Sequence, residues 1–160
     1  MKQRVLIAYF SWSGNTKKLA QEIQRKVGGD LFEIKAASPY PTAYSACTKQ
    51  AKMEQQADQR PALQKQLKSV EDYDVLLLGY PNWWSSMPMP VWTFLEACDW
   101  TGKQVYPFCT HGGGGFGHSR EDLKRLLPGA KVENGFATSE MALQRMDASL
   151  EQWLKGIGLL

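Results

Sequence analysis

The chain has 160 residues, 43% of them apolar, and a formal charge of +3. That is one domain's length, with enough apolar surface for a sizeable core. A charge this mild, with Lys and Arg scattered rather than gathered on one face, leaves no electrostatic footprint for nucleic acid. The three widely spaced cysteines, Cys47, Cys98 and Cys109, fit neither a zinc spacing nor a disulfide framework and read as reduced thiols of a cytoplasmic protein.

In chain order, residues 4–10 read as a near-continuous apolar strand, too short for a signal peptide or a membrane span. The polar stretch Ser11-Trp12-Ser13-Gly14-Asn15-Thr16 follows. Leu19, Ala20, Ile23 and Val27 then mark a helix over 15–27, stopped by Gly28-Gly29. Strand, hydroxyl-rich loop and helix together make a phosphate seat. The helix N-terminus offers free N–H groups and a partial positive charge, and Gly14 permits close approach. No lysine sits in the loop, so it is not a nucleoside-triphosphate loop. One glycine is not a dinucleotide fingerprint either. A single phosphomonoester fits; the plain alternative is an ordinary turn with Ser13 or Asn15 capping the helix.

Residues 31–35 read as a short alternating strand near a sheet edge. The connection from Ala36 to Arg60 is too long for an ordinary loop and has a helix-forming later part without a strong apolar stripe. It reads as a helical insert, or as a cover for the site with Tyr40 or Tyr44 reaching in. Pro61 opens a predicted helix whose apolar face is Ala62, Leu63, Leu67 and Val70. Asp74 to Tyr80 is the clearest strand, central in a parallel sheet. Pro88 and Pro90 precede a helix over 91–97. Gln104 to Thr110 is the fourth strand, with a bulge or early end expected at Pro107. Ser119-Arg120-Glu121-Asp122 has the form of a capping box for a helix through Leu123, Leu126 and Leu127. Lys131 to Ala137 is a weak fifth strand, and a last helix starts at Ser139 or Glu140.

Five strand-helix repeats predict a three-layer α/β domain: a doubly wound five-stranded parallel sheet, order 2-1-3-4-5, with its ligand at the switch between strands 1 and 3. Three loops then share the carboxyl edge. The second, Pro81-Asn82-Trp83-Trp84, holds two adjacent tryptophans that cannot both be buried easily, and a flat ring gives one a partner. The third, Thr110-His111-Gly112-Gly113 through Phe116, places several N–H groups close to whatever it encloses. His111 could reach a ring or a substrate, and His118 reads as a surface residue. No Cys, His, Asp or Glu cluster has metal-ligand spacing, and no catalytic side chain is proposed.

Ser-x-Ser-Gly-Asn-Thr after the first strand resembles the phosphate loop of flavodoxins, which holds the phosphate of FMN. The Pro-x-Trp-Trp-x-x-Met-Pro segment and the Thr-x-Gly-Gly loop are similar to that family's two ring loops. The resemblance covers essentially the whole chain. It implies a phosphate site at Ser11, Ser13, Gly14, Asn15 and Thr16, bordered by Trp12. It implies a ring site at Pro81, Asn82, Trp83, Trp84, Thr110, His111, Gly112, Gly113 and Phe116. The implied function is electron transfer through noncovalent FMN, to a redox partner protein or a small-molecule acceptor, without nucleic acid or membrane. The alternatives are an NAD(P)H-dependent FMN quinone reductase and a flavin-free binding module on the same fold. Electron-carrier flavodoxins are usually acidic, and here no Asp or Glu occurs in 79–95 or 100–120. With no carboxylate beside the ring, a less negative potential for the reduced anion is expected. Oligomeric state is left open.

Overall fold

The computed structural model describes residues 3–160; the part of the N-terminal reading that falls on Met1 and Lys2 lies outside them. Strand β1 (Val5–Tyr9) leads into helix α1 (Asn15–Val27) and edge strand β2 (Asp30–Glu33). Helix α2 (Tyr44–Gln56), β3 (Val75–Pro81), α3 (Met89–Glu96), β4 (Gln104–His111) and α4 (Ser119–Leu126) follow. Two short strands, β5 (Lys131–Val132) and β6 (Phe136–Ser139), a 3-10 turn (Ala142–Arg145) and α5 (Asp147–Gly156) complete the chain. The order is β2-β1-β3-β4-β5, all parallel, with β6 also beside β4. The doubly wound order read from the sequence is therefore found, with its fifth position split in two.

The sheet is apolar on both faces because it is covered on both. Even-numbered β1 and β3 residues Leu6, Ala8, Leu76 and Leu78 pack with Val91, Phe94 and Leu95 of α3 and Leu123 of α4. Odd-numbered Val5, Ile7, Val75 and Leu77 pack with Leu19, Ala20 and Ile23 of α1 and Leu150 and Leu154 of α5. Leu76, Leu77 and Leu78 have no exposed surface, which is why β3 reads as an unbroken run. Lys26 joins α1 to α5 through Asp147 and Glu151 at 2.7 and 2.9 Å. No helix among the described residues is long and apolar enough to cross a membrane.

Four expectations are corrected. The predicted helix over 61–70 does not form. Its backbone runs extended past the end of edge strand β2, where Ala37 N–H donates to Ala62 C=O and Gln64 N–H to Lys35 C=O. Edge-strand groups left open gain partners this way. Leu63, Leu67 and Val70 still reach the core from that extended segment. The helix between β2 and β3 is instead α2, inside the long connection. It buries only Cys47, Ala51 and Glu54, a helical i, i+4, i+7 row with a carboxylate in it.

β4 does not bulge or end at Pro107; it pairs with β3 along its whole length, Pro107 opposite Leu78. Alternate residues of a strand direct their peptide groups to the same neighbour. Val105 C=O accepts Glu133 N–H from the outer side, so the missing N–H of Pro107 faces outward too. There β5 has ended and β6 has not begun: the outer strand breaks, not β4. The Ser119 capping box does not form either. His118 is the N-cap without a side-chain cap bond, Ser119 bonds the Tyr80 hydroxyl at 2.8 Å, and Asp122 turns elsewhere. Finally, the last α-helix begins at Asp147. Ser139 Oγ accepts the Ala142 N–H at 3.0 Å and caps only the 3-10 turn.

Candidate functional site

The first loop turns sharply at Gly14, the N-cap of α1, whose φ of 102° is open to glycine and strained for other residues. Ser11 Oγ accepts the Gly14 N–H at 3.2 Å, so Ser11 shapes the loop from within. α1 has no side-chain cap and no acidic residue in its first turn. The N–H groups of its first residues therefore stay free for an anion, in the positive end of the helix dipole. Thr16 is buried, and its hydroxyl shares a 2.8 Å hydrogen bond with that of Thr110, tying the first loop to the third.

Asn82 organises the second loop. Its N–H donates to Thr110 C=O at 2.9 Å, its Nδ2 to Gly115 C=O at 2.8 Å, and its Oδ1 accepts the Ser85 N–H at 2.9 Å. Trp83 and Ser86 exchange both backbone hydrogen bonds around Trp84 (φ 53°) and Ser85 (φ 67°). Two left-handed non-glycine residues in succession form a tight hairpin turn that stores strain. Each tryptophan has protein partners. The Trp83 ring meets Phe10 and Tyr40 edge-on at 5.2 and 5.1 Å. The Trp84 indole N–H donates to Thr48 C=O, and the Lys52 ammonium lies 4.8 Å from the ring centre.

The third loop is held from both sides. Gly113 N–H donates to His111 Nδ1 at 3.0 Å, and His118 N–H to Ser85 C=O at 2.7 Å. Below these loops, buried Asp122 accepts from Ser86 Oγ at 2.5 Å, His118 Nδ1 at 2.7 Å and Arg125 at 2.9 Å. Replacing Asp122 with alanine leaves the buried Ser86 hydroxyl without an acceptor. The expected loss is about 2–3 kcal/mol of stability, with the Trp-Trp turn loosened, read by denaturant unfolding and Trp84 fluorescence.

These loops and α2 enclose a cleft of about 630 Å³, within the range of small-molecule sites. Trp12, Ser13, Asn15, Thr16, Pro81, Asn82, Trp83, Trp84, Thr110, His111 and Gly112 line it. Ser11, Gly14, Gly113 and Phe116 do not; Phe116 turns toward Arg120, 4.7 Å from its ring centre, and lies against Gly135. The glycine loop also spends N–H groups internally, at Gly113 and Gly117.

The 36–60 connection, read from the sequence as a helical insert or a cover for the site, supplies a whole wall of the cleft, most of whose residues the sequence reading did not name. Tyr44, named there as a candidate, is joined by Cys47, Thr48 and Ala51 of α2 and by Glu140 after β6. Trp12 straps this wall down, its indole N–H donating to Pro41 C=O at 2.9 Å. Beneath α2 the Tyr40 hydroxyl donates to Glu54; burial first, then that bond, holds the phenol well above its ordinary range. Burial, then Glu54, raises the Cys47 thiol, and burial pushes Cys109 up to about 12, so both stay protonated at neutral pH. The three loops contain no Asp or Glu, as the sequence reading has it, but Glu140, which that reading did not place at the site, brings a carboxylate residue to the cleft wall. Among the described residues no group of three or more His, Cys, Asp or Glu could hold a metal ion.

The sequence model of a family described as Flavodoxin matches residues 4–157. A candidate flavoprotein from Bacteroides eggerthii is 34% identical, with 92% of this chain and 98% of that one covered and a TM-score of 0.79. Another from Bacteroides uniformis is 30% identical, covering 97% and 99% with a TM-score of 0.84. A Lactobacillus acidophilus flavoprotein solved in complex with FMN shares the fold at 23% identity, covering 95% and 99% with a TM-score of 0.77. A search of curated proteins gives no match.

Proposed function

The chain belongs to the flavodoxin family, and from that premise we propose that it binds one FMN noncovalently in the cleft and serves as a cytoplasmic electron-transfer protein. One observation carries the reading. Three loops from β1, β3 and β4 are bonded to one another through Thr16–Thr110 and Asn82–Gly115, at the switch point, around a single cleft. When bound, FMN supplies the redox chemistry. The chain's share is to bind and orient it. The α1 N-terminus with Ser13 and Asn15 would hold the phosphate by neutral donors, and Trp83 and Trp84 would border the rings. The α2 wall limits water. No side chain need act as acid, base or nucleophile.

The test is a titration of purified, flavin-free chain with FMN and with riboflavin. The expected result is a yellow complex with FMN and markedly weaker riboflavin binding. A colourless chain that takes up neither supports a flavin-free binding module instead.

The α2 wall favours a second reading, an NAD(P)H-dependent FMN quinone reductase, because Tyr44 and Trp84 stand open at the cleft mouth and could hold a flat acceptor. Steady-state turnover with NAD(P)H and a quinone would support it over a pure carrier that serves a redox partner protein.

Glu140 makes a further prediction. Its carboxylate opposes negative charge on reduced FMN, so Glu140→Gln should raise the midpoint potential. Because Glu140 is exposed, the rise should be on the order of 20 mV and shrink with added salt. Spectroelectrochemical titration at two ionic strengths checks it; an unchanged or lowered potential removes the argument.

A further inference from the structure

We propose that His111 is a fixed donor, its imidazole locked in one tautomer by the Gly113 amide, and that its Nε2–H is presented to the rim of the bound ring system. The proposal rests on the FMN reading above. Gly113 N–H donates to Nδ1 at 3.0 Å, and a ring nitrogen that accepts a hydrogen bond carries no proton. The proton of the neutral imidazole therefore belongs on Nε2. Among the described residues no protein group bonds Nε2, although His111 is half-buried and lines the cleft.

The backbone beneath the ring is fixed on both sides. His111 C=O accepts the Glu140 N–H at 3.0 Å, and Thr110 C=O accepts that of Asn82 at 2.9 Å. The imidazole thus stands at the end of β4 with its acceptor bonded to the glycine loop and Nε2, on the other side of the ring, without a protein partner among the described residues. The other ionisable groups at the cleft are Glu140 on the same side, Tyr44 and Cys47 on α2, and Lys52 at the Trp84 ring. None of them bonds the imidazole. A ring nitrogen or oxygen that gains electron density on reduction is a better acceptor afterwards. A fixed donor beside it therefore holds reduced FMN more tightly than oxidised FMN. Protonating Nδ1 would remove the acceptor that Gly113 uses, so imidazolium formation and the glycine-loop conformation are coupled.

Two substitutions separate the two ends of the ring. His111→Asn keeps an acceptor where Nδ1 stands and has no donor where Nε2 stands. His111→Gln places an amide N–H near the Nε2 position and gives up the Nδ1 acceptor. The experiment has two arms. In the first, nitrogen NMR of the flavin-free wild-type chain is expected to show the neutral imidazole as the tautomer with Nδ1 unprotonated and Nε2 protonated. The Gly113 amide resonance should move as His111 titrates. An Nδ1–H tautomer, or a Gly113 amide indifferent to that titration, overturns the proposal without touching FMN binding.

In the second arm, the ratio of reduced to oxidised FMN affinity is measured for wild type and both variants. His111→Asn should lower it about tenfold, which for a two-electron couple is about 30 mV. His111→Gln should lower it less than threefold. Equal losses in both variants, or none, overturn the donor role and leave His111 as a loop buttress. A wild-type chain that binds no FMN removes the redox reading and the ring-donor role with it, while the tautomer result stands.

Discussion

A Ser13→Asp chain is expected to bind FMN about 100- to 1,000-fold more weakly than the parent, while riboflavin affinity stays within about twofold. Ser13 lines the cleft just ahead of α1, beside the free N–H groups of the first helical turn. A carboxylate there competes for the same donors and repels the incoming phosphate. At about 5 Å and an effective dielectric constant of about 20, each pair of like charges costs about 3 kcal/mol, or about two orders of magnitude in affinity. The phosphate of FMN carries between one and two negative charges, so the range extends upward. Fluorescence titrations of both flavins at one salt concentration settle it. Equal losses for FMN and riboflavin would mean that the seat is elsewhere.

The second large effect is expected at Gly117. Its φ is +58°, and a Cβ there would lie 2.4 Å from Ser85 O and 2.7 Å from Ser85 C and Cα. These are backbone atoms, and the same carbonyl already accepts the His118 N–H. Gly117→Val puts a β-branched residue in the left-handed region and drives the third loop off the second. A cost of about 3–4 kcal/mol follows from conformational strain plus lost contacts. For a chain of this size that is roughly a 6–15 °C fall in Tm. Gly112→Ala is the control: a Cβ there would meet nothing within 4 Å, and its φ is not positive, so the Tm should hardly move. Calorimetry of the two variants side by side reads the difference; a Gly117→Val chain as stable as Gly112→Ala would break the account of how the loops are joined.

Much of this architecture is written in local pattern. Val75 to Leu78 reads as a central strand because every residue of it is enclosed, and the loops at 11–16, 81–84 and 110–112 announce themselves by composition. The misses have one physical origin: tertiary partners that spacing cannot show. α2 is legible as a helix from its composition, yet its inward face is obscure because one of its three inward positions is Glu54, acceptable there only because Tyr40 and Gln50 bond its carboxylate. Residues 61–70 carry a helical stripe, yet the open edge beside β2 offers backbone partners that an isolated helix cannot match. Pro107 looks like a fault in β4 until the outer neighbour is seen to be the broken strand. Ser119 and Asp122 have capping-box spacing, but Tyr80 and Ser86, some 36 to 39 residues away, claim their oxygens. Glu140 reaches the cleft by strand register alone, through the pairing of His111 with Ser139.

The slender attachment of α2 has a thermodynamic corollary. Three enclosed side chains, the bonds that join it to Tyr40 and Trp84, and the Trp12 bond to Pro41 just ahead of it do most of the fastening, whereas the sheet beneath is closed on both faces. Opening free energies vary across a fold in proportion to such enclosure. On warming, the insert therefore detaches first, the guest escapes, and the five-position sheet melts later as a separate cooperative unit. Amide exchange along Tyr44–Gln56 then tracks cofactor retention, and exchange along Val75–Pro81 reports survival of the fold.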